Sequence, residues 1–266
     1  MKARRIDVGG VRLHVQEEGE GEPLLLVHGL GTSGDLWLHQ VPVLARHYRT
    51  LAVDLRGFGR SDKPREPGAY AVPVLARDIR TLIQALGLER LHLLGASMGG
   101  FIAQLVALDA PGLCRSLILC HTGQRMSIPA EIVASRVASL ESSSMEDYGR
   151  LVAGQALAEG VSPALFDWLT RMIAANDKDA YRQVLVEGLR DFDVSERVAE
   201  LALPTLVIVG AEDRVIPPEE GVALAGRIPG ARLVTLEGVG HIGYAERPEP
   251  FNAAVLEFLP SLPAEG

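Results

Sequence analysis

Two cysteines are all that the 266 residues contain, and neither is placed to pair with the other. Cys114 and Cys120 flank the apolar segment Ser116-Leu117-Ile118-Leu119. In an extended strand they stand about 20 Å apart, far beyond the ~7 Å that a disulfide spans. Buried free thiols in a reducing cytoplasm are therefore the expectation. No apolar run approaches the roughly 18 residues of a membrane-spanning helix. The charged, alternating stretch from Met1 to Glu22 has the pattern of neither a signal nor a transit peptide. Blocks of like charge are missing as well. The formal net charge of −8 and sequence pI of about 5.4 argue against nucleic acid or an anionic membrane as the main partner. The seven histidines show no H-E-x-x-H and no paired Cys/His spacing, so no metal is expected. G-x-G-x-x-G is absent, and no dinucleotide or other cofactor is expected. There is no internal repeat and no low-complexity tract. A small-molecule substrate is the expected partner, and a homo-oligomer is compatible with the sequence.

What is present is an ordinary globular composition, 47% hydrophobic and 23% charged, enough for one large domain or one core with an inserted lobe. Arg4–Val8 and Val11–Glu18 alternate around Gly9-Gly10 and predict a β-hairpin. Pro23-Leu24-Leu25-Leu26-Val27 is a continuous apolar run, as in a strand buried on both faces. A helix is expected from Asp35 to Arg46, with Leu36, Trp37, Val41 and Leu44 at helical spacing. A strand from Arg49 to Asp54 follows, then a Gly/Arg-rich loop and a helix from Val72 to Leu86 that stops at Gly87. Further strands are read at Arg115–Cys120, Thr205–Val209 and Arg232–Leu236, with a last helix from Pro248 to Leu259. This alternation specifies an α/β fold with a mostly parallel sheet covered by helices on both faces. Residues 122–203 break the alternation: they hold no convincing strand and several helical patterns, such as Ile132–Leu140, Met145–Gln155 and Ala164–Ala174. Ser144-Met145-Glu146-Asp147 reads as a capped helix start. The expectation is a core of residues 1–121 and 204–266 with a helical lid, 122–203, inserted between two strands.

One pentapeptide carries chemistry. Gly95-Ala96-Ser97-Met98-Gly99 follows the strand-like Leu91-His92-Leu93-Leu94 and precedes the helical Phe101–Ala107. A tight strand-to-helix turn lifts a serine oxygen clear of the sheet and tolerates only small flanking residues. The helix that starts there points free backbone N–H groups at the site where negative charge develops in acyl transfer.

With His28-Gly29-Leu30-Gly31, the loop Asp54-Leu55-Arg56-Gly57-Phe58-Gly59-Arg60-Ser61-Asp62, Gly210-Ala211-Glu212-Asp213 and Gly238-Val239-Gly240-His241, the chain resembles lidded α/β-hydrolases over essentially its whole length. Within that superfamily it is most similar to 3-oxoadipate enol-lactonases and related carboxylesterases, through His28–Trp37, Ser97–Gln104 and Leu119-Cys120-His121-Thr122. The resemblance implies a serine hydrolase with chain order serine, acid, histidine. Ser97 is then the nucleophile, His241 its base and Asp213 the carboxylate that orients the base. Some relatives carry the acid after the earlier strand, where this chain reads His121-Thr122 and offers no carboxylate. The oxyanion hole falls to the backbone N–H groups of Leu30 and Met98. Serine at position 97 argues against dehalogenases and epoxide hydrolases of this fold, which use a carboxylate there.

Candidate substrate-contacting residues are His28, Trp37, His121, Arg125 and Trp168, and the resemblance also gives His28 a supporting role under the oxyanion loop. His121 and Arg125 are the candidates for holding a substrate carboxylate, which the lactonase reading requires because its substrate is anionic. Arg56 is expected to pair with Asp62 in a structural loop. The leading function is hydrolysis of a small carboxylic ester or lactone, with 3-oxoadipate enol-lactone as one case. The alternatives are a C–C bond hydrolase of vinylogous diketones from aromatic degradation and a non-enzymatic ligand receptor on the same fold. Peroxide-dependent acid oxidation is compatible with the same site as a side activity.

Overall fold

The computed structural model describes residues 2–188 and 192–261. Residues 189–191 of the expected lid and 262–266 of the expected core lie outside the described residues. The chain opens with β1 (Lys2–Asp7), β2 (Arg12–Glu18), β3 (Pro23–Val27), α1 (Val41–Leu44), β4 (Arg49–Asp54) and α2 (Val72–Ala85). It continues with β5 (Leu91–Ala96), α3 (Met98–Asp109), β6 (Cys114–Cys120), β7 (Arg125–Met126), α4 (Ala130–Ser142) and α5 (Met145–Ala156). Then come α6 (Pro163–Ala174), α7 (Lys178–Glu187), β8 (Phe192–Asp193) and β9 (Thr205–Gly210), followed by α8 (Pro218–Arg227), β10 (Arg232–Leu236), α9 (Gly243–Glu246) and α10 (Pro248–Phe258).

Eight strands form one sheet in the order β1-β2-β4-β3-β5-β6-β9-β10. β2 runs antiparallel to β1 and β4, and every other pairing is parallel. The central strands β3 and β5 are buried on both faces, which is why their sequences are continuous apolar runs rather than alternations. The two edges are charged instead. β1 carries Lys2, Arg4 and Arg5 in exposed or half-exposed positions, and Arg232 of β10 lies over the Phe258 ring at 5.8 Å. Charge on an edge strand discourages pairing with another chain. Among the described residues, no helix is long and apolar enough to cross a membrane.

The strands, α2 and the last helix fall within a residue or two of their expected places, and α3 starts three residues before the expected Phe101. One helix does not. Asp35–Arg46 is a short 3-10 turn at Gly34–Trp37 and the separate turn α1. Pro42 brings no N–H to a continuous helix, and the Gln40 side chain is drawn off to the Tyr244 carbonyl (2.9 Å) and Asn252 Oδ1 (3.0 Å). The apolar residues Leu36, Trp37, Val41 and Leu44 still reach the core.

Between β6 and β9 lie α4 to α7, of which α7 completes the helical patterns read from the sequence. Ser144 caps α5 as expected, accepting from Asp147 N at 3.0 Å. The segment also holds strands, contrary to expectation: β7 and β8 pair antiparallel at its two ends. Two residues per strand carry no periodicity to read, and only their meeting in space makes them a ladder.

Arg56 does not pair with Asp62. Its guanidinium forms a forked contact with Asp78 of α2, Nη2 to Oδ1 at 2.6 Å, and both side chains are buried. Asp62 instead holds Arg5 and the backbone N–H of Arg12, tying the loop to the hairpin. Losing one partner leaves a buried charge unmatched. Arg56→Leu is therefore expected to destabilise the fold by about 3–5 kcal/mol in urea unfolding, with Arg56→Leu/Asp78→Leu recovering most of it. The two cysteines are free and buried at the ends of β6. Burial pushes the Cys114 thiol up to about 12 and Cys120 well above its ordinary value. Native protein should resist a thiol reagent such as dithiobis(nitrobenzoate) and react at two thiols once unfolded in guanidinium.

Candidate active site

Six loops leave the carboxyl ends of the parallel strands on one edge of the sheet, where ligands of open α/β sheets are taken. His28 follows β3, Ser97 β5, His121 β6, Asp213 β9 and His241 β10. Ser97 sits between β5 and α3 with φ 54° and ψ −120°, a backbone that L residues other than glycine rarely adopt. The turn is held from three sides: Ser97 N donates to the Cys120 carbonyl (2.9 Å), and its own carbonyl accepts from Gly100 N (2.8 Å) and Thr122 Oγ1 (3.0 Å). The flanking glycines are there for space. A Cβ on Gly95 would stand 2.2 Å from the Gly99 carbonyl oxygen, and one on Gly99 would stand 2.3 Å from that of Val27.

Ser97 is half-buried, and its Oγ lies 2.9 Å from His241 Nε2. His241 Nδ1 lies 2.7 Å from Asp213 Oδ2. Asp213 Oδ1 accepts from the backbone N–H groups of Val215 and Ile216, each at 2.9 Å, so the carboxylate cannot rotate away. Burial alone would raise the Asp213 carboxyl. The His241 and His121 imidazoles outweigh it and hold the group well below the ordinary carboxylate range, so Asp213 is charged at neutral pH.

The backbone N–H groups of Leu30 and Met98 donate to nothing among the described residues. Met98 opens α3, and Leu30 lies in the loop after β3. That loop is braced by His28. Its Nε2 accepts from Leu55 N (2.9 Å), which leaves the proton on Nδ1 to be donated to the Gly29 carbonyl (2.7 Å). Thr32 Oγ1 donates to the same oxygen at 3.0 Å.

The residues expected to touch substrate are distributed differently. His28 is fully buried under the loop, and its two ring nitrogens are engaged there. Trp37 is fully buried against Tyr244, ring centroids 4.9 Å apart. His121 is also buried, behind Asp213 rather than in front of Ser97. Its Nε2 accepts from Gly243 N (3.2 Å), which puts its proton on Nδ1, 3.5 Å from Asp213 Oδ2. Desolvation keeps His121 below its ordinary imidazole value, and its backbone takes the left-handed φ of 50°. Arg125 is exposed on β7, facing Glu220 at 3.8 Å. Trp168 lines a groove with Leu38, His39 and Ala245 that contains no member of the Ser97–His241–Asp213 chain. Among the described residues, His121, Asp213 and His241 form the group that could share a metal ion, their ligand atoms lying within 4.8 Å of one another. An ion there would have to displace the hydrogen bonds linking Asp213, His241 and Ser97.

Two contributors carried no sequence signal. Glu246, on α9, accepts from the N–H groups of Gly240 (3.1 Å), Ile242 (3.1 Å) and Ala158 (2.9 Å), clamping the histidine loop to the end of α5. Asn176, between α6 and α7, donates to the Gly31 carbonyl at 2.8 Å, fixing the loop after β3 from the side opposite His28. A cavity of about 640 Å³ opens beside Leu30, lined by residues of α4, α5 and α7 together with Arg214 and Val215; Ser97, Asp213 and His241 are not among its lining residues. That volume suits a small organic substrate.

The α/β-hydrolase fold model matches residues 22–138, and a TAP-like protein model matches residues 184–266. RutD of Pseudomonas savastanoi pv. phaseolicola, a candidate carbamate hydrolase, is 31% identical over 93% of this chain and 97% of its own length. The 2-hydroxy-6-oxononadienedioate/2-hydroxy-6-oxononatrienedioate hydrolase of Paraburkholderia xenovorans is 29% identical over 94% and 91%. Among solved structures, the enol-lactonase of Burkholderia xenovorans LB400 superposes with a TM-score of 0.91 at 28% identity, covering 97% of this chain and 100% of that one. The chain belongs to the α/β-hydrolase family. Its relatives include an enol-lactonase and hydrolases of other bonds, so family membership defines a hydrolase scaffold and leaves the bond cleaved to be argued from the site.

The elbow's tight packing is testable. Gly99→Ala should cost about 3 kcal/mol in denaturant unfolding, because its methyl would meet backbone carbonyls rather than a movable side chain. Unchanged stability would mean that α3 does not approach β3 as described.

Proposed function

We propose that this protein is a cofactor-independent serine hydrolase that cleaves a small carboxylic ester or lactone through an acyl-enzyme on Ser97. The observation that carries the reading is the unbroken hydrogen-bond chain from Ser97 Oγ through His241 to an ionised Asp213. His241 takes the hydroxyl proton as Ser97 attacks the carbonyl, and Asp213 stabilises the imidazolium that forms. The negative charge on the carbonyl oxygen is met by the N–H groups of Leu30 and Met98, which are preorganised and otherwise unengaged. Collapse of the tetrahedral intermediate expels the alcohol, which receives the proton from His241. Water then attacks the acyl-enzyme with the same histidine as base, regenerating Ser97 and releasing the acid.

The helical insertion acts as the lid: it walls the cavity and, through Asn176 and the Glu246–Ala158 contact, holds both the oxyanion loop and the histidine loop in register. The likeness to an enol-lactonase over the full chain supports a lactone or ester, 3-oxoadipate enol-lactone included. The relative that hydrolyses 2-hydroxy-6-oxononadienedioate supports a second reading, C–C cleavage of a vinylogous diketone by the same three residues. The two are separated by substrate. Turnover of p-nitrophenyl esters with no bleaching of coloured ring-cleavage products selects the esterase, and the reverse selects the C–C hydrolase. A receptor would bind ligand without releasing product.

Ser97→Ala should lower kcat for a p-nitrophenyl ester by about 10⁵-fold or more, and Asp213→Asn by about 10⁴-fold, with the folded state intact by circular dichroism. Turnover persisting in Ser97→Ala would remove Ser97 as nucleophile.

A further inference from the structure

Asp213 orients His241, so whatever fixes Asp213 also fixes the base. An ionised carboxylate has room for about four donors. Two are the backbone N–H groups of Val215 and Ile216 on Oδ1, and the third is His241 Nδ1, 2.7 Å from Oδ2. The remaining position on Oδ2 faces His121 Nδ1 at 3.5 Å. That nitrogen carries the His121 proton, because Nε2 is taken up as the acceptor for Gly243 N at 3.2 Å. It is buried, and it makes no hydrogen bond of ordinary length among the described residues. A buried N–H left without an acceptor costs free energy, and the acceptor it points at is the orienting carboxylate.

Three further features converge on this side chain. Among the described residues, Ser97 and His121 are the two non-glycine positions with a left-handed backbone, at φ 54° and 50°. Such backbone persists only where its surroundings hold it, and His121 N is held by the Ile208 carbonyl at 2.9 Å. Secondly, α9 makes room for the imidazole: a Cβ on Gly243 would stand 2.7 Å from His121 Nε2. Thirdly, the His121 ring meets the rings of His241 and Tyr244 edge-on, each at 5.8 Å, and Tyr244 is itself packed against Trp37 and Phe251. The imidazole therefore cannot turn away from Asp213. Desolvation keeps it below its ordinary value, so it brings an N–H dipole to the carboxylate without a second positive charge beside His241.

We propose that His121 is a positioning residue: its Nδ1–H is the fourth donor to Asp213, closing on Oδ2 in the reacting complex and holding the carboxylate in line with His241. Hydrogen bonds between catalytic groups are commonly long before substrate binds and tighten in the complex. The assignment moves His121 from substrate binding to the support of the acid. It rests on the hydrolase reading, in which Ser97 is the nucleophile and His241 its base.

The two imidazole nitrogens can be removed separately. An asparagine amide nitrogen takes the place of Nδ1, so His121→Asn keeps the donor to Asp213 and loses the acceptor for Gly243 N. A glutamine oxygen takes the place of Nε2, so His121→Gln does the reverse. On a p-nitrophenyl ester, His121→Gln should lower kcat and kcat/KM together by about 10–100-fold with KM near wild type, the range for a hydrogen bond to a charged group. His121→Asn, whose side chain also tolerates the left-handed backbone, should stay close to wild type. Equal losses in both variants, or the larger loss in His121→Asn, would make His121 a brace for the Gly243 turn and overturn the proposal. His121→Gly suits the backbone, removes both nitrogens and covers the case in which glutamine does not fold there. Its kcat should fall as well, and activity matching that of His121→Asn would count against the donor. A second readout needs no turnover: the downfield proton resonance of the His241–Asp213 hydrogen bond should shift in His121→Gln and hold in His121→Asn. An unmoved resonance and an unmoved kcat in His121→Gln sink the role of His121 alone. Turnover persisting in Ser97→Ala sinks the hydrolase reading, and the resonance then still reports whether His121 holds Asp213.

Discussion

The close approach of α3 to the ends of β3 and β5 is the constraint on which the rest of the site depends. Gly95 and Gly99 are packed so tightly that either Cβ would fall within about 2.3 Å of a backbone oxygen. That contact forces Ser97 into its left-handed turn, projects the hydroxyl from the sheet edge and brings the first N–H of α3 beside it. A strained backbone persists only where its surroundings over-determine it. Here Cys120, Gly100 and Thr122 each hold one end of the Ser97 peptide.

Around that fixed point, the other groups are positioned by loops that share few residues with each other. Asp213 is pinned by two backbone donors, and His241 by Asp213 on one side and its own backbone on the other, His241 N donating to the Ala156 carbonyl at 2.7 Å. That carbonyl belongs to the helical insertion, as does the Ala158 N–H held by Glu246. Asn176, also from the insertion, grips the loop after β3 at Gly31. The core therefore supplies Ser97, Asp213 and His241 while the insertion supplies part of their restraint, so a change in the insertion reaches these side chains through hydrogen bonds. Hydrogen bonds of this kind convert loop residues into a preorganised site, which is where most of an electrostatic rate enhancement originates.

How far the sequence could be read follows from the range of each interaction. Strands such as β3 and β5 announce themselves because burial on both faces demands an uninterrupted apolar run. Ser97 was legible because its turn leaves a local signature of glycines. Asp213 and His241 became legible through chain order once the fold was recognised. Asp35–Arg46 was misread because apolar spacing survived in a segment whose helix is interrupted at Gln40-Val41-Pro42. Arg56 was matched to Asp62, six positions away, when its partner is Asp78 on a packed helix.

By itself the sequence determined the layer architecture and the strand–turn–helix that carries Ser97, because these depend on hydrophobic period and on local steric limits. Tertiary structure alone decided what each of these side chains faces. It turned His28 into a brace, set His121 behind the acid and left Arg125 outside. It also assembled Arg136, Tyr148 and Tyr181, from three separate helices, around one cavity. Spacing along a chain records which face of an element is buried, and it holds no record of what an element drawn from elsewhere brings to that face.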